Sequence, residues 1–166
     1  MTASEQGSQR PRIVEQAGPD SITLHGSAVA LNDRGLLITG DAGSGKTQLM
    51  VEMMALGAGL VADDWVVIER GRAVGLVMSA PGPIQGLVEL RGIGLVRMPS
   101  FIDQAPLTCV VDLNRYAAER LPHPDQRGLL GIQFPVIFGK DRPGLAPALM
   151  AMLRAGGLLD PEFFTK

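Results

Sequence analysis

Eight consecutive residues carry the clearest chemical signal in this chain. Residues 40–47 match the pattern G-x-x-x-x-G-K-[ST] at every fixed position, which a glycine-rich turn would rarely do by accident. Glycines let several backbone N–H groups converge on one anion, the lysine ammonium reaches the outer phosphates of a nucleotide, and the threonine hydroxyl can ligate Mg²⁺. The pattern therefore predicts a site for ATP and Mg²⁺. The residues expected to bind the nucleotide are Gly40, Asp41, Ala42, Gly43, Ser44, Gly45, Lys46 and Thr47.

Two adjacent carboxylates, Asp63 and Asp64, follow the short apolar segment 60–62. A phosphoryl-transfer site needs a carboxylate at the end of a neighbouring strand, for the metal or for the attacking group. Like charges beside a polyphosphate repel one another, which favours proton uptake by one of the two acids, as a general base requires. The alternative is a solvated acidic turn, and the nearby phosphate motif makes it less favoured.

Four other residues are ambiguous from spacing alone. His25, at a strand end, is more often a structural residue than a catalytic one. Glu89 and Arg91 are expected on one face of a strand, where a surface ion pair is the simpler interpretation. Cys109 lies in an apolar stretch with no base nearby, so a buried strand residue is favoured over a nucleophile.

The surrounding pattern predicts the elements that must position these groups. A strand over residues 36–39 precedes the glycine-rich motif, and apolar residues at helical spacing follow it over 46–56. Further strands are expected over 21–24, 27–31, 60–62 and 107–113, with one more within 128–138 and a helix over 144–155. Residues 1–18 are expected to form a flexible leader and residues 19–166 a single domain.

Composition limits the remaining function classes. The formal net charge of −2 argues against a general nucleic-acid binder, and one cysteine among 166 residues permits no intramolecular disulfide. No apolar run is long enough for a signal peptide or a bilayer span, so a cytoplasmic protein without membrane contact is expected.

Four motifs together resemble the C-terminal catalytic domain of bacterial HPr kinase/phosphorylase. They are Leu-His-Gly at 24–26, the glycine-rich motif at 40–47, Leu-Val-Ala-Asp-Asp at 60–64 and Glu-Leu-Arg-Gly-Ile-Gly-Leu at 89–95. Their order and approximate spacing agree with the family over residues 22–155. The short leader makes the chain similar to the minimal, catalytic-domain-only forms of α-proteobacteria.

The resemblance implies an α/β, P-loop-containing fold with a mixed sheet like that of phosphoenolpyruvate carboxykinase and with flanking helices. It implies ATP-dependent phosphorylation of a seryl hydroxyl on HPr, the carrier protein of the phosphotransferase system. The reverse reaction would use inorganic phosphate and release pyrophosphate. A homo-oligomer, commonly a hexamer in the family, is implied as well.

The resemblance also implies roles for individual residues. Lys46 would bind the phosphates, while Thr47 and Glu89 would hold Mg²⁺. Asp64, supported by Asp63, would accept the proton in the kinase reaction and donate it in dephosphorylation. The other residues that the resemblance places in or beside the site are His25, Arg91, Arg120 and Lys140.

The sequence departs from the family pattern at several of these positions. Thr47 stands for the usual serine and keeps the hydroxyl, whereas Gln48 replaces an acidic residue. Ile137 and Lys140 stand where basic residues, the second an arginine, are usual, and lysine lacks the planar fork that grips phosphate through two bonds. The reverse reaction is therefore less strongly implied than the kinase reaction.

Two other functions remain compatible with the motifs. One is a P-loop phosphotransferase or NTPase that acts on a small molecule. The other is a nucleotide-binding regulatory module with little catalysis.

Overall fold

The computed structural model describes residues 13–73, 75–123 and 125–156. These residues form a mixed α/β structure in which one large sheet carries two helices. The elements are, in chain order, β1 (Ile13–Gly18), β2 (Ser21–His25), β3 (Ser27–Leu31), β4 (Arg34–Thr39), α1 (Lys46–Ala55), β5 (Gly59–Ala62), β6 (Trp65–Arg70), β7 (Leu76–Ser79), β8 (Leu87–Leu90), β9 (Gly94–Arg97), β10 (Ala105–Asp112), β11 (Asp125–Leu129), β12 (Ile132–Phe138) and α2 (Leu145–Ala155), with a 3₁₀ turn at Gly82–Ile84.

The main sheet is mixed, as expected. Its order is β1-β2-β6-β7-β10-β4-β3-β5, with β12 joined to the last part of β10 and β11 joined to β12. The strand β10 runs parallel to β4 and to β12, and the other pairings in this sheet are antiparallel. The strands β8 and β9 form a separate hairpin.

Alternating residues of the central strands supply two apolar cores. On β4, Leu37 belongs to a core shared with β2, β6, β7 and the β11–β12 hairpin, while Leu36 and Ile38 face a second core built with both helices. Successive side chains point to opposite faces of a strand, so burial of β4 on both faces requires this nearly continuous apolar run. The helices contribute to the second core the buried residues Leu49, Met50, Met53, Leu145, Ala146, Leu149, Met150 and Leu153.

Most predicted elements are confirmed, but two predictions are wrong. Part of the expected leader is strand β1, which pairs with β2 and covers an edge whose N–H and C=O groups would otherwise be unpaired. The segment 128–138, expected to hold one strand, belongs to two: β11 and β12 meet at a two-residue turn formed by Leu130 and Gly131, both at positive φ. Residues 1–12 of the expected leader and residues 157–166 of the expected domain lie outside the described residues.

The topology brings several strand ends to one edge of the sheet. Thr39, Asp112 and Phe138 end the parallel strands β4, β10 and β12, and the register places them side by side. The antiparallel neighbours bring Ser27, at the start of β3, and the end of β5 to the same edge. Ligands of α/β sheets bind outside the carboxyl ends of parallel strands, so this edge is the place to look for a site.

A buried ion pair lies just inside this edge. Arg127 of β11 donates from Nη2 to Oδ2 of Asp112 at 2.9 Å, and both side chains are almost fully buried. A buried carboxylate that loses its cation is strongly destabilised, because the remaining charge stays desolvated.

We therefore expect Arg127→Met to lower the free energy of unfolding by about 3–5 kcal/mol. Urea titration followed by circular dichroism measures this change. Arg70→Met is the matched control, since Arg70 pairs with Asp20 in an exposed position, where an ion pair contributes about 1 kcal/mol or less. Equal losses in the two variants would contradict the prediction.

The prediction that Cys109 is a buried strand residue is confirmed. The residue lies on β10 in the core that is built with both helices, and burial raises the pKa of its thiol to about 12. A thiolate is the reactive form of cysteine, so the folded chain should not react with iodoacetamide at pH 8, whereas the urea-unfolded chain should be alkylated. Mass spectrometry of the alkylated chain checks this, and alkylation of the folded chain at the unfolded rate would contradict it.

Candidate functional site

The glycine-rich loop, residues 40–45, connects β4 to α1. Gly45 takes φ 95° immediately before the helix, a conformation that favours glycine. Gly40 lies so close to Ser44 that a Cβ at position 40 would clash with the Ser44 side chain. No side chain caps the start of α1 in the described part of the chain, so the first N–H groups of the helix are free for an anion.

The Lys46 side chain folds back over this loop. Its Nζ donates to the carbonyl oxygens of Gly40 at 2.9 Å and Asp41 at 3.0 Å. Burial lowers the pKa of Lys46, and the negative charges of Asp64, Asp41 and Asp63 oppose that shift. The ammonium therefore binds carbonyl oxygens of the loop, and these are the partners that an anion would replace.

Asp63 is buried and bonded to two hydroxyl groups. Its Oδ1 accepts from Ser27 Oγ and from Thr47 Oγ1, both at 2.9 Å. These bonds connect the end of β5 to the start of β3 and to the first turn of α1. A carboxylate and a hydroxyl oxygen held together are hard ligands of the kind Mg²⁺ prefers, and Mg²⁺ commonly keeps several waters besides.

Asp64 is held by its backbone, and its side chain is 70% exposed. It takes φ 67°, and the N–H of Trp65 donates to the carbonyl of Asp63 at 2.8 Å, which makes a tight γ-turn centred on Asp64. Positive φ in a residue other than glycine is a strained conformation that clusters at functional sites. The turn directs the Asp64 carboxylate outward, beside the buried Asp63.

His25 supports this turn from the end of β2. Its Nδ1 lies 3.1 Å from the carbonyl oxygen of Asp64 and 3.5 Å from that residue's Oδ1. Because a carbonyl only accepts, Nδ1 carries the proton in this contact. The imidazole also packs on the ring of Trp65, with centroids 3.7 Å apart, and the N–H of Gly26 donates to the same carbonyl at 3.1 Å.

Glu89 and Arg91 form no hydrogen bond or ion pair with this cluster among the described residues. Glu89 is exposed on β8, and Arg91 begins the turn to β9, where Gly92 takes φ 79°. The expectation of a shared strand face is wrong, because the alternation of β8 ends at Leu90. Among the described residues neither side chain forms an ion pair, so the expected Glu89–Arg91 pair is also wrong. No hydrogen bond there joins Glu89 to Thr47 either.

Arg120 and Lys140 line a cleft of about 320 Å³ that is formed by the segments after β10 and after β12. Lys140 Nζ lies 4.8 Å from the centre of the Tyr116 ring, whose hydroxyl donates to Asp141 at 2.8 Å. The structure therefore brings the two cations predicted for the site into one cleft. Arg142 adds a third basic group to its lining.

Two residues of the cluster were missed in the sequence. Ser27 bonds to Asp63, and Asn114 bonds to Asp41 through both its side-chain oxygen and its side-chain nitrogen. A polar Asp-x-Asn at the end of the strand predicted over 107–113 was the available signal for Asn114. Ser27 is an ordinary strand residue by type, and only the pairing of β3 with β5 brings it to the acids.

These features define a class of protein. It is a mixed α/β protein in which a glycine-rich loop lies between a parallel strand and a helix, and the first turn of that helix is hydrogen-bonded to an acidic pair at the end of β5.

The chain belongs to the family described as HPr Serine kinase C-terminal domain, whose model matches residues 18–120. It is similar to the HPr kinase/phosphorylase of Caldicellulosiruptor bescii, with 32% identity in an alignment 145 residues long that covers 81% of this chain and 47% of the relative. The HPr kinase/phosphorylase of Geobacillus thermodenitrificans is 29% identical in an alignment 168 residues long, gaps included, that covers 93% of this chain and 54% of the relative. The chain thus spans about half the length of these curated relatives.

The fold of a solved structure agrees with this assignment. The Hpr(Ser) kinase/phosphatase from Coxiella burnetii superposes with a TM-score of 0.70 over 80% of this chain and 88% of that one, at 24% identity. The resemblance inferred from the four motifs is confirmed at the level of the family, and the mixed α/β fold is that of its C-terminal domain. Lys140 lies beyond the residues that the family model matches. No helix in the described ranges is both long and apolar enough to cross a membrane.

Proposed function

We propose that this chain is an ATP-dependent kinase that phosphorylates a seryl hydroxyl of an HPr-type phosphocarrier protein. One observation carries the proposal: the Lys46 ammonium of a G-x-x-x-x-G-K-T loop binds the loop carbonyls, and the adjacent Thr47 hydroxyl bonds to Asp63, which precedes the exposed Asp64. Such a loop suits a polyphosphate, and an exposed carboxylate such as that of Asp64 is the kind of group that takes a proton from an attacking alcohol. The family assignment supports a protein serine as the acceptor.

In this proposal, residues 40–47 form a P-loop. The N–H groups at the start of α1 and the Lys46 ammonium hold the β- and γ-phosphates of ATP. Thr47 and Asp63 would hold Mg²⁺ through the two oxygens that now bond to each other, and Glu89 would be a further ligand. When bound, the metal neutralises charge that develops on the phosphate oxygens.

Asp64 then acts as the general base. It takes the proton of the seryl hydroxyl as that oxygen bonds to the γ-phosphorus, and the bond from phosphorus to the β–γ bridging oxygen breaks to release ADP. His25 holds the Asp64 turn. Arg120 and Lys140 stabilise the negative charge of the transferred phosphoryl group from the cleft that they line together. In the reverse reaction, an oxygen of inorganic phosphate would bond to the phosphorus of phosphoserine as the bond from phosphorus to the seryl oxygen breaks. The protonated Asp64 would return its proton to that seryl oxygen, and pyrophosphate would be the product.

The direct test is incubation of the purified chain with ATP, Mg²⁺ and an HPr-type protein, followed by intact-mass and peptide analysis of the acceptor. We expect one phosphoryl group on a seryl residue, and its loss when inorganic phosphate replaces ATP would show that the chain also runs the reverse reaction. An acceptor with that serine changed to alanine is the control. Release of free phosphate with no labelled acceptor would favour an NTPase or a small-molecule kinase, and binding of ATP without turnover would favour a regulatory module.

A further inference from the structure

A single asparagine side chain binds the glycine-rich loop at its second residue. Oδ1 of Asn114 accepts the backbone N–H of Asp41 at 2.8 Å, and Nδ2 of Asn114 donates to Oδ1 of Asp41 at 3.3 Å. One amide thus fixes both the backbone and the side chain of Asp41. The two residues are 73 positions apart, so this contact connects the loop after β10 to the loop after β4.

Asn114 is itself firmly anchored. Its backbone N–H donates to Oδ1 of Asp112 at 2.9 Å, while Oδ2 of the same carboxylate accepts from Arg127 at 2.9 Å. The N–H of Leu113 also donates to the carbonyl of Thr39, the last residue of β4, at 2.9 Å. A buried ion pair and a strand-end bond therefore set the position of Asn114 before any ligand binds.

Asp41 is held from its other side by two bonds, one of which a ligand would break. Its carbonyl accepts from the N–H of Ser44 and from the Lys46 ammonium, both at 3.0 Å. If Lys46 turns from that carbonyl to a phosphate, as the proposed function requires, the loop loses one of these restraints. The bonds from Asn114 do not involve Lys46 and remain.

We infer that Asn114 is a positioning residue, which holds Asp41 so that the glycine-rich loop keeps its anion-binding conformation after Lys46 has moved to the nucleotide. The inference rests on the proposed function only in taking a nucleotide phosphate as the anion. The Asn114 amide also restrains a negative charge at this position, because its Nδ2 donates to the Asp41 carboxylate.

An exchange of the two side chains tests the inference. Asn114→Asp replaces the Nδ2 donor by a second carboxylate oxygen facing Asp41, so we expect ATP affinity to fall by about tenfold or more. The double variant Asn114→Asp with Asp41→Asn restores a donor facing an acceptor and has the net charge of the wild type. We expect it to recover ATP affinity to within about threefold of the wild type, as paired partners in a cycle do.

Gln133→Glu is the matched control, because it makes the same amide-to-carboxylate change on an exposed residue of β12, roughly 16 Å of strand away from Phe138. It should leave the affinity unchanged. Isothermal titration with ATP and Mg²⁺ gives the affinities, and thermal melts report whether each variant is folded. A double variant that binds as weakly as the single variant would overturn the inference.

Two further readouts separate this inference from the proposed function. In assays of phosphoryl transfer, Asn114→Asp should raise KM for ATP while KM for the acceptor protein stays unchanged. Amide hydrogen exchange at Asp41 should accelerate in Asn114→Ala without any ligand, and unchanged exchange there would count against the role. If the wild type binds ATP but transfers nothing to an acceptor, the proposed function fails, while the binding and exchange results still decide the role of Asn114.

Discussion

Asp64→Asn should slow phosphoryl transfer by about 10²–10⁴-fold, the usual contribution of a general base, and change ATP affinity by less than about threefold. The substitution keeps the size of the side chain and removes its ability to take a proton. The γ-turn and the bonds to the Asp64 carbonyl use the backbone, so they should survive the change. Binding is expected to persist because Lys46 and the loop amides, rather than Asp64, hold the phosphates in the proposed site.

Steady-state rates with an HPr-type acceptor and calorimetric titration with ATP measure the two effects. Asp103→Asn is a matched control, since it removes one exposed carboxylate from a loop outside the cluster and should leave both values unchanged. Asp63→Asn should behave differently, weakening Mg²⁺-dependent binding as well as the rate. A transfer rate in Asp64→Asn within about threefold of the wild type would be incompatible with a general base at this position.

Lys46→Ala should weaken ATP binding by about 10–100-fold, the loss expected for a charge-assisted hydrogen bond to phosphate, and reduce transfer to background. The ammonium supplies the positive charge of the motif, since no other side chain in residues 40–47 is a cation. Folding should not suffer, because among the described residues the Lys46 side chain donates only to two carbonyls of the glycine-rich loop. We therefore expect a thermal midpoint close to that of the wild type.

Fluorescence titration with a labelled nucleotide checks the affinity, and a thermal melt checks the fold. Arg72→Met provides the comparison, since it also removes one positive charge but from an exposed turn between β6 and β7. An unchanged ATP affinity in Lys46→Ala would remove the basis for placing the phosphates on this loop.

Local patterns were sufficient for the elements around the glycine-rich loop. The two-residue turn between β3 and β4 carries Asn32 and Asp33 at positive φ, as such residues in a hairpin turn predict. The β11–β12 turn uses Leu130 at the equivalent place, and leucine gives no turn signal. That hairpin was therefore predicted as one strand.

The residues of the candidate site also fall into those that a local sequence motif predicts and those that it does not. Residues 40–47 and the acidic pair follow from contiguous motifs whose chemistry is fixed by residue type. Ser27 and Asn114 enter the cluster only through the pairing of β3 with β5 and of β10 with β4, which a single sequence does not specify. Arg91 shows the opposite error, since period-two spacing placed it on a strand that ends one residue earlier.

The most direct test of the account is a crystal structure of this chain with a non-hydrolysable ATP analogue and Mg²⁺. We predict that the β- and γ-phosphates lie on the N–H groups at the start of α1. Lys46 Nζ should have moved from the Gly40 and Asp41 carbonyls to those phosphates, with the Asp64 carboxylate facing the γ-phosphate. A nucleotide bound elsewhere, or a Lys46 that still contacts both carbonyls while the analogue is bound, would contradict the account.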